Sequence, residues 1–277
     1  MLVLAAIPLG NPLDASDHLK EWIEKVSVIA AEDSRRFGRL CADLGLTYQA
    51  KLISFFEGNE LERLDELLAI MAGGADLLVV TDAGMPGISD PGYRLARAAV
   101  ERNIPIKVLP GPSAVTTALL LSGLPSDRFS FEGFPPRTSG ARLTWFQALA
   151  EEPRTFIFFE APHRLLESLE DAESAIGSDR KAAICREMTK TYEEVIRGTL
   201  GELRAWAKST EILGEITVVV AGFDPSSRTF THEDLVAAVL ERESAGISRK
   251  EAIVEAAKAL GLPKRALFDA MVEHKSR

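Results

Sequence analysis

Hydrophobic positions along the chain follow two alternating periods. The short apolar runs "LVLAAI" (2–7), "SVIAA" (27–31), "KLISFF" (51–56), "DLLVV" (76–80) and "IPIKVL" (104–109) are bounded by turn residues. They are too short for helices and predict strands. Between them, residues 16–26, 34–45, 59–74, 91–103 and 113–123 space their apolar side chains three and four apart. That spacing predicts helices. Ser34 suits the cap of the second helix, which stops at Gly45. Asn59 and Glu62 have the spacing of a capping box, and Asp90 with Pro91 suits the cap and first position of the fourth helix. Apolar strands alternating with amphipathic helices predict a mostly parallel sheet covered on both faces.

A second alternating stretch follows. Residues 128–134, 154–161, 181–188, 192–199 and 214–222 are strand patterns, with helical patterns at 140–152, 163–177 and 200–209. Some strands here have no helix between them, so this sheet is expected to be mixed. "GLPSDR" (123–128) reads as a hinge, and "FDPSSRTFTHED" (223–234) as a linker rich in turn residues. Three helical patterns then complete the chain. The expected architecture is α/β: one domain over 1–122, a second over 123–222, and a small helix-turn-helix-like tail over 230–277.

Composition narrows the class. The 277 residues are 46% hydrophobic and 26% charged, an ordinary globular balance. The net charge of −9 excludes a generally basic surface, so a nucleic-acid partner needs a local basic face. The last 36 residues offer one, carrying Arg242, Arg249, Lys250, Lys258, Lys264, Arg265, Lys275 and Arg277, with Asp and Glu fewer than in the body. Cys41 and Cys185 stand alone and read as reduced thiols. The apolar start lacks a basic leader and is far shorter than the roughly 20 residues of a membrane span. A soluble, cytoplasmic protein is expected, with no metal.

The common nucleotide signatures are missing. The sequence contains no GxxxxGK[ST], no GxGxxG after a strand, no HExxH and no GxSxG. His18 and His163 stand alone, without metal-ligand spacing. Three bare loops instead close the expected strands at their carboxyl ends: "PLGNP" (8–12), "TDAGMPGISDPG" (81–92) and "PGPSA" (110–114). In an open α/β sheet that edge binds ligands. Glycine admits the backbone to a ligand and proline holds the loop in shape beforehand. Such a site would read a flexible polar molecule largely through its main chain.

The segments "LAAIPLGNPLD", "AAEDSRR", "TDAGMPGISDPGYRLARAA", "LPGPSAVTTAL", "SGLPSDRFSFEGFPPR", "FFEAPHRLLESL", "CREMTKTYEEVIRGTLGEL" and "GEITVVVAG" carry a resemblance to the tetrapyrrole methylase family. It covers about residues 2 to 222. "PLGNP" and "EDSRR" resemble the branch that methylates RNA rather than precorrins. The resemblance implies S-adenosylmethionine held in a cleft between two α/β domains, usually in a homodimer. It implies 2′-O-methylation of a cytidine ribose in the decoding region of the small ribosomal subunit's 16S RNA. It places cofactor contacts at Pro8, Leu9, Gly10, Asp82, Ala83, Gly84, Pro86, Ile88, Ser113, Ala114, Phe159 and Met188. The loop "SFFEGNE" (54–60) departs from relatives that often carry histidines there.

Methyl transfer from a sulfonium is an in-line displacement that depends chiefly on alignment. A ribose hydroxyl is a weak acid, so a base or hydrogen-bond acceptor helps. Glu32 and Asp33, at a strand end, and Lys190, after Met188, are the candidate catalytic residues. Arg35, Arg36, Arg137 and Arg164, with Arg142 and His163, are expected on loops at the cleft mouth, where they would hold RNA phosphates. A small-molecule tetrapyrrole methyltransferase is the alternative, and a non-enzymatic binding module is a further one.

Overall fold

A computed structural model describes residues 1–224 and 230–276. Part of the linker expected over 223–234 lies outside the described residues, as does Arg277. Met1–Gly222 forms one compact unit and the tail a second.

The first unit opens with the expected alternation. Strand β1 (Leu2–Ala5) leads to helix α1 (Asp17–Lys25), β2 (Val28–Ala31) and α2 (Ser34–Asp43). β3 (Lys51–Ser54), α3 (Glu60–Ala72), β4 (Leu77–Val80), α4 (Tyr93–Glu101), β5 (Ile106–Leu109) and α5 (Ala114–Ser122) follow. The strands form a parallel sheet in the order β3-β2-β4-β1-β5. Alternation along β1 divides its side chains between two cores. Val3 and Ala5 pack with Trp22, Ile23, Phe37 and Cys41 from α1 and α2. Leu2 and Leu4 pack with Leu67, Leu68, Met71, Leu95 and Ala99 from α3 and α4. Both faces are therefore dry, which is why these strands read as continuous apolar runs.

The chain leaves β1 toward β2 on one side and leaves β4 toward β5 on the other. The crevice above β1 and β4 is thus the switch point of the sheet. An isolated bridge joins the loops there: Ile7 N–H donates to Gly84 O (2.9 Å) and Gly84 N–H donates to Ile7 O (3.1 Å).

The second sheet is mixed, as expected. It comprises β6 (Phe129–Phe131), β7 (Thr155–Glu160), β8 (Lys181–Arg186), β9 (Glu194–Thr199) and β10 (Ile216–Val220), in the order β6-β7-β10-β8-β9. β6 pairs parallel to β7, and the other pairs are antiparallel. One face carries α6 (Ser139–Ala148), α7 (Leu165–Ile176) and α8 (Leu200–Ser209). The other face packs Ile157, Cys185 and Val219 against Val115, Ala118 and Leu119 of α5. The packing therefore divides earlier than residue 122, because α5 buries its apolar side on the second sheet.

Local signals set the helix ends differently from three expectations. Asp33, not Ser34, caps α2, accepting from the N–H groups of Arg35 (2.8 Å) and Arg36 (3.4 Å). Asn59 makes no side-chain cap. Its amide accepts from Phe56 N–H (2.9 Å) and donates to Ser54 O (3.0 Å), bracing the loop before α3. Asp90 does not cap α4, which begins at Tyr93 after Gly92 in a conformation with φ 130°.

The tail consists of α9 (His232–Ser244), α10 (Arg249–Leu260) and α11 (Lys264–Ser276). Val236, Val239, Ile253, Ala256, Leu267 and Met271 form its own small core. Among the described residues no helix is long and apolar enough to cross a membrane.

Candidate active site

A cavity of about 420 Å³ opens at the switch point, within the size range of small-molecule sites. Leu9 comes from the first bare loop, Asp82, Ala83, Gly84 and Ile88 from the second, and Ser113 and Ala114 from the third. Phe159 and Met188 close it from the second sheet. The structure thus brings together most of the residues expected to hold the cofactor. Gly84 has φ +72°, and a Cβ there would lie 3.3 Å from Leu9.

Pro8, Gly10 and Pro86 do not line the cavity. Pro8 and Pro86 are buried and shape their loops. Gly10 is bare for another reason: the stem of Lys190 lies where its Cβ would stand. Asn11 N–H also donates to Thr189 Oγ1 (3.2 Å), so the first loop is tied to the segment after β8. Glu187 and Thr189 in that segment have positive φ angles, 50° and 63°.

The candidate catalytic residues separate in space. Glu32 lines the cavity and accepts from Asp82 N–H (3.0 Å). Asp82 in turn accepts from Asp33 N–H (3.1 Å) and pairs with Arg36 (3.4 Å). Burial raises the pKa values of both Glu32 and Asp82. Asp33 is turned to its helix and to Arg35 Nη2 (2.7 Å). Those hydrogen bonds hold its carboxyl far below the usual range. Lys190 Nζ bonds Glu187 (3.0 Å) and Glu215 (3.0 Å). Burial alone works against its charge, but those two partners outweigh it and raise the pKa. Lys190 is accordingly a cation with no basic lone pair, and neither it nor Asp33 lines the cavity.

The expected arginines also differ. Arg36 lines the cavity, while Arg35 and Arg137 are exposed. Arg164 is engaged, donating to Pro135 O (2.8 Å) and Pro136 O (3.0 Å) beside Glu160. Arg142 is 1% exposed and sits inside α6 rather than on a loop. Sequence patterns gave no sign of Phe134, Glu160, Gly214 or Glu215 as site residues and read Asp90 as a helix cap, yet all five line the cavity. For Asp90 one signal existed: it is the second carboxylate of an otherwise uncharged loop.

The donor set suits a cationic ligand with an apolar part. Carboxylates of Glu32, Asp82, Asp90 and Glu215 face Leu9, Ile88, Val115, Phe134 and Phe159. Among the described residues no cluster of side chains could hold a metal ion.

Two α/β sheets with a ligand cavity at the switch point of the parallel one define the architecture, and the chain belongs to the family Tetrapyrrole (Corrin/Porphyrin) Methylases, whose model matches residues 1–204. Its relatives include Ribosomal RNA small subunit methyltransferase I of Mycobacterium bovis, 48% identical over 273 residues, covering 98% of this chain and 94% of the relative. The protein of that name from Escherichia coli O157:H7 is 39% identical over 275 residues, covering 98% and 94%. Among solved structures, the methyltransferase CobJ aligns with a TM-score of 0.62 at 16% identity, over 83% of this chain and 96% of its own. A uroporphyrin-III C-methyl transferase from Thermus thermophilus, complexed with S-adenyl homocysteine, aligns with a TM-score of 0.54 at 14% identity, over 79% and 96%. At these identities the structural likeness concerns the fold.

Proposed function

We propose that this enzyme methylates small-subunit ribosomal RNA with S-adenosylmethionine, at the 2′-hydroxyl of a cytidine ribose in the decoding region. The observation that carries the reading is the extent of the match. Relatives named for ribosomal RNA align over 98% of the chain, tail included, whereas CobJ and the uroporphyrin enzyme align over 83% and 79%. A tetrapyrrole acceptor gives no reason for a helical tail whose groove gathers Arg249, Lys250, Lys264 and Arg265.

The cavity fits the cofactor. Bound there, S-adenosylmethionine supplies a methyl group activated by a sulfonium charge. The carboxylates of Glu32, Asp82 and Glu215 favour that charge in a partly dry site. Leu9, Ile88, Phe159 and Met188 offer apolar contact and exclude water. The loops at 8–12, 81–92 and 110–114 present the main chain, with Pro8 and Pro86 fixing loop shape and Gly10 admitting Lys190. Arg35, Arg36 and Arg137 supply cations for phosphate, and Arg164 orients the loop that carries Arg137.

The tail supports an RNA partner independently. A groove of about 640 Å³ is lined by Arg249, Lys250, Lys264 and Arg265 around Ile253, Val254 and Phe268. Cations flanking an exposed aromatic suit a phosphate backbone with accessible bases. The family resemblance adds a homodimer, acting in the cytoplasm.

The test is transfer of labelled methyl from S-adenosylmethionine to small subunits from a strain lacking this gene, followed by nuclease mapping. The expected product is one ribose-methylated cytidine in the RNA. Label found only in a porphyrin-type acceptor overturns the reading.

A further inference from the structure

Asp90 lies in the cavity, yet among the described residues its carboxyl makes no hydrogen bond or ion pair. The other acidic groups of the site are occupied. Glu32 holds Asp82 N–H, Asp82 holds Asp33 N–H and Arg36, and Glu215 holds Lys190. Asp33, the remaining carboxylate of the strand end, caps a helix outside the cavity.

The position of Asp90 is set from below. Glu60, 6% exposed, accepts from Gly92 N–H (3.0 Å) and pairs with Arg94 (3.8 Å). Gly87 N–H donates to Pro91 O (3.1 Å), closing the loop around residues 88–90. The loop is thus fixed at its base while the Asp90 carboxyl is left for whatever enters the cavity.

We propose that Asp90 is the catalytic base of the methyl transfer, accepting the proton of the acceptor hydroxyl. This rests on the methyltransferase reading above. In the step, the hydroxyl oxygen forms its bond to the methyl carbon as its proton passes to Asp90. The carbon–sulfur bond breaks and its electron pair stays on sulfur, leaving a neutral thioether. The proton then leaves Asp90 for solvent.

The electrostatic setting suits that task. The charged groups facing Asp90 are Glu32 and Asp82 from the ends of β2 and β4, Glu215 ahead of β10, and Glu57 after β3. Arg36 is the guanidinium lining the same cavity. Burial first, then the charges of those carboxylates, push the Asp90 carboxyl up to about 7. A base works best with a pKa near the working pH. An incoming sulfonium charge favours the ionised form. Binding the cofactor therefore deprotonates Asp90 and readies it to accept.

Two measurements test this. Titration calorimetry with S-adenosylmethionine near pH 7, in buffers of different ionisation enthalpy, reports proton release on binding. Wild type is expected to release a fraction of a proton, Asp90→Asn none, and S-adenosylhomocysteine, which lacks the sulfonium charge, less than S-adenosylmethionine. Single-turnover transfer to small subunits at saturating cofactor is expected to fall about a hundredfold or more in Asp90→Asn. The pH dependence of the wild-type rate should flatten in the variant, and Asp90→Glu should regain part of the rate. No proton release by wild type, or release that persists in Asp90→Asn, overturns the assignment. So does a variant that binds cofactor weakly but keeps its saturated rate, since that makes Asp90 a ligand only. Failure of wild type to methylate the RNA at all instead removes the function reading.

Discussion

Asp90 also imposes a stability cost that depends on pH. Its folded pKa, pushed up to about 7 by burial and by Glu32, Asp82, Glu215 and Glu57, stands above the ordinary aspartate value. The folded protein therefore binds the proton more tightly than the unfolded chain. Stability from this group is fully present below the unfolded value and is lost as pH rises through the folded one. Asp90→Asn removes the charge and the loss. The variant should be more stable than wild type at pH 8, on the order of 2 kcal/mol after allowing for solvent screening of a partly open carboxyl. The difference should close as pH falls toward 4. Urea melts of both proteins across that range check it, and a gap that is the same at every pH rejects it. A residue that slows catalysis when replaced yet stabilises the fold is the signature of a strained functional group. The sequence pattern read Asp90 as a helix cap because Asp-Pro before an amphipathic run has that form. What it could not show is the extra turn at Gly92, which moves the helix start to Tyr93 and frees Asp90 for the cavity. Lys190 illustrates the same limit, since its partners Glu187 and Glu215 meet only when β8 and β10 pair.

At the scale of elements, strands and helices were legible because burial on both faces leaves apolar runs and burial on one side leaves helical spacing. Their long-range side-chain partners were not. Arg142 looks like a loop cation by composition, but α6 carries it against α7. There its Nε donates to Asp171 (2.7 Å), its Nη2 to Glu167 (3.3 Å) and its Nη1 to Arg137 O (3.4 Å). Ser139 Oγ donates to the other oxygen of Asp171 (3.0 Å). This clamp ties α6 to α7 on one face of the second sheet and holds the backbone carbonyl of residue 137. Removing one partner of a buried pair leaves the other uncompensated, so Arg142→Ala should cost about 3–5 kcal/mol. Replacing both, as Arg142→Met with Asp171→Leu, should recover most of that loss. Chemical denaturation of the three proteins measures it. Equal losses in single and double variants would assign the cost to packing of the arginine stem instead.

The whole molecule must bring an acidic protein, net charge −9, to a polyanion. That is possible only if cations are concentrated locally and acidic groups are kept elsewhere or engaged. In the site, the acidic groups face inward to the cavity or hold cations, while Arg35 and Arg137 are exposed. In the tail, Arg249 pairs with Glu243 and Arg265 with Asp269, but Lys250 and Lys264 make no ion pair among the described residues. Both lysines stand in the first turns of α10 and α11, where the positive helix end disfavours a cation and a phosphate relieves the conflict. Phe268, 56% exposed, lies in the same groove. Each phosphate contact contributes roughly 0.7–0.9 to the slope of log affinity against log salt. The double variant Lys250→Ala, Lys264→Ala should therefore bind small subunits more weakly at low salt, with a slope shallower by roughly 1.5. Neither lysine lines the cavity, so calorimetry should show unchanged affinity for S-adenosylmethionine. An unchanged salt slope would mean that the tail serves another partner, and that Arg35, Arg36 and Arg137 must carry the phosphate contacts alone.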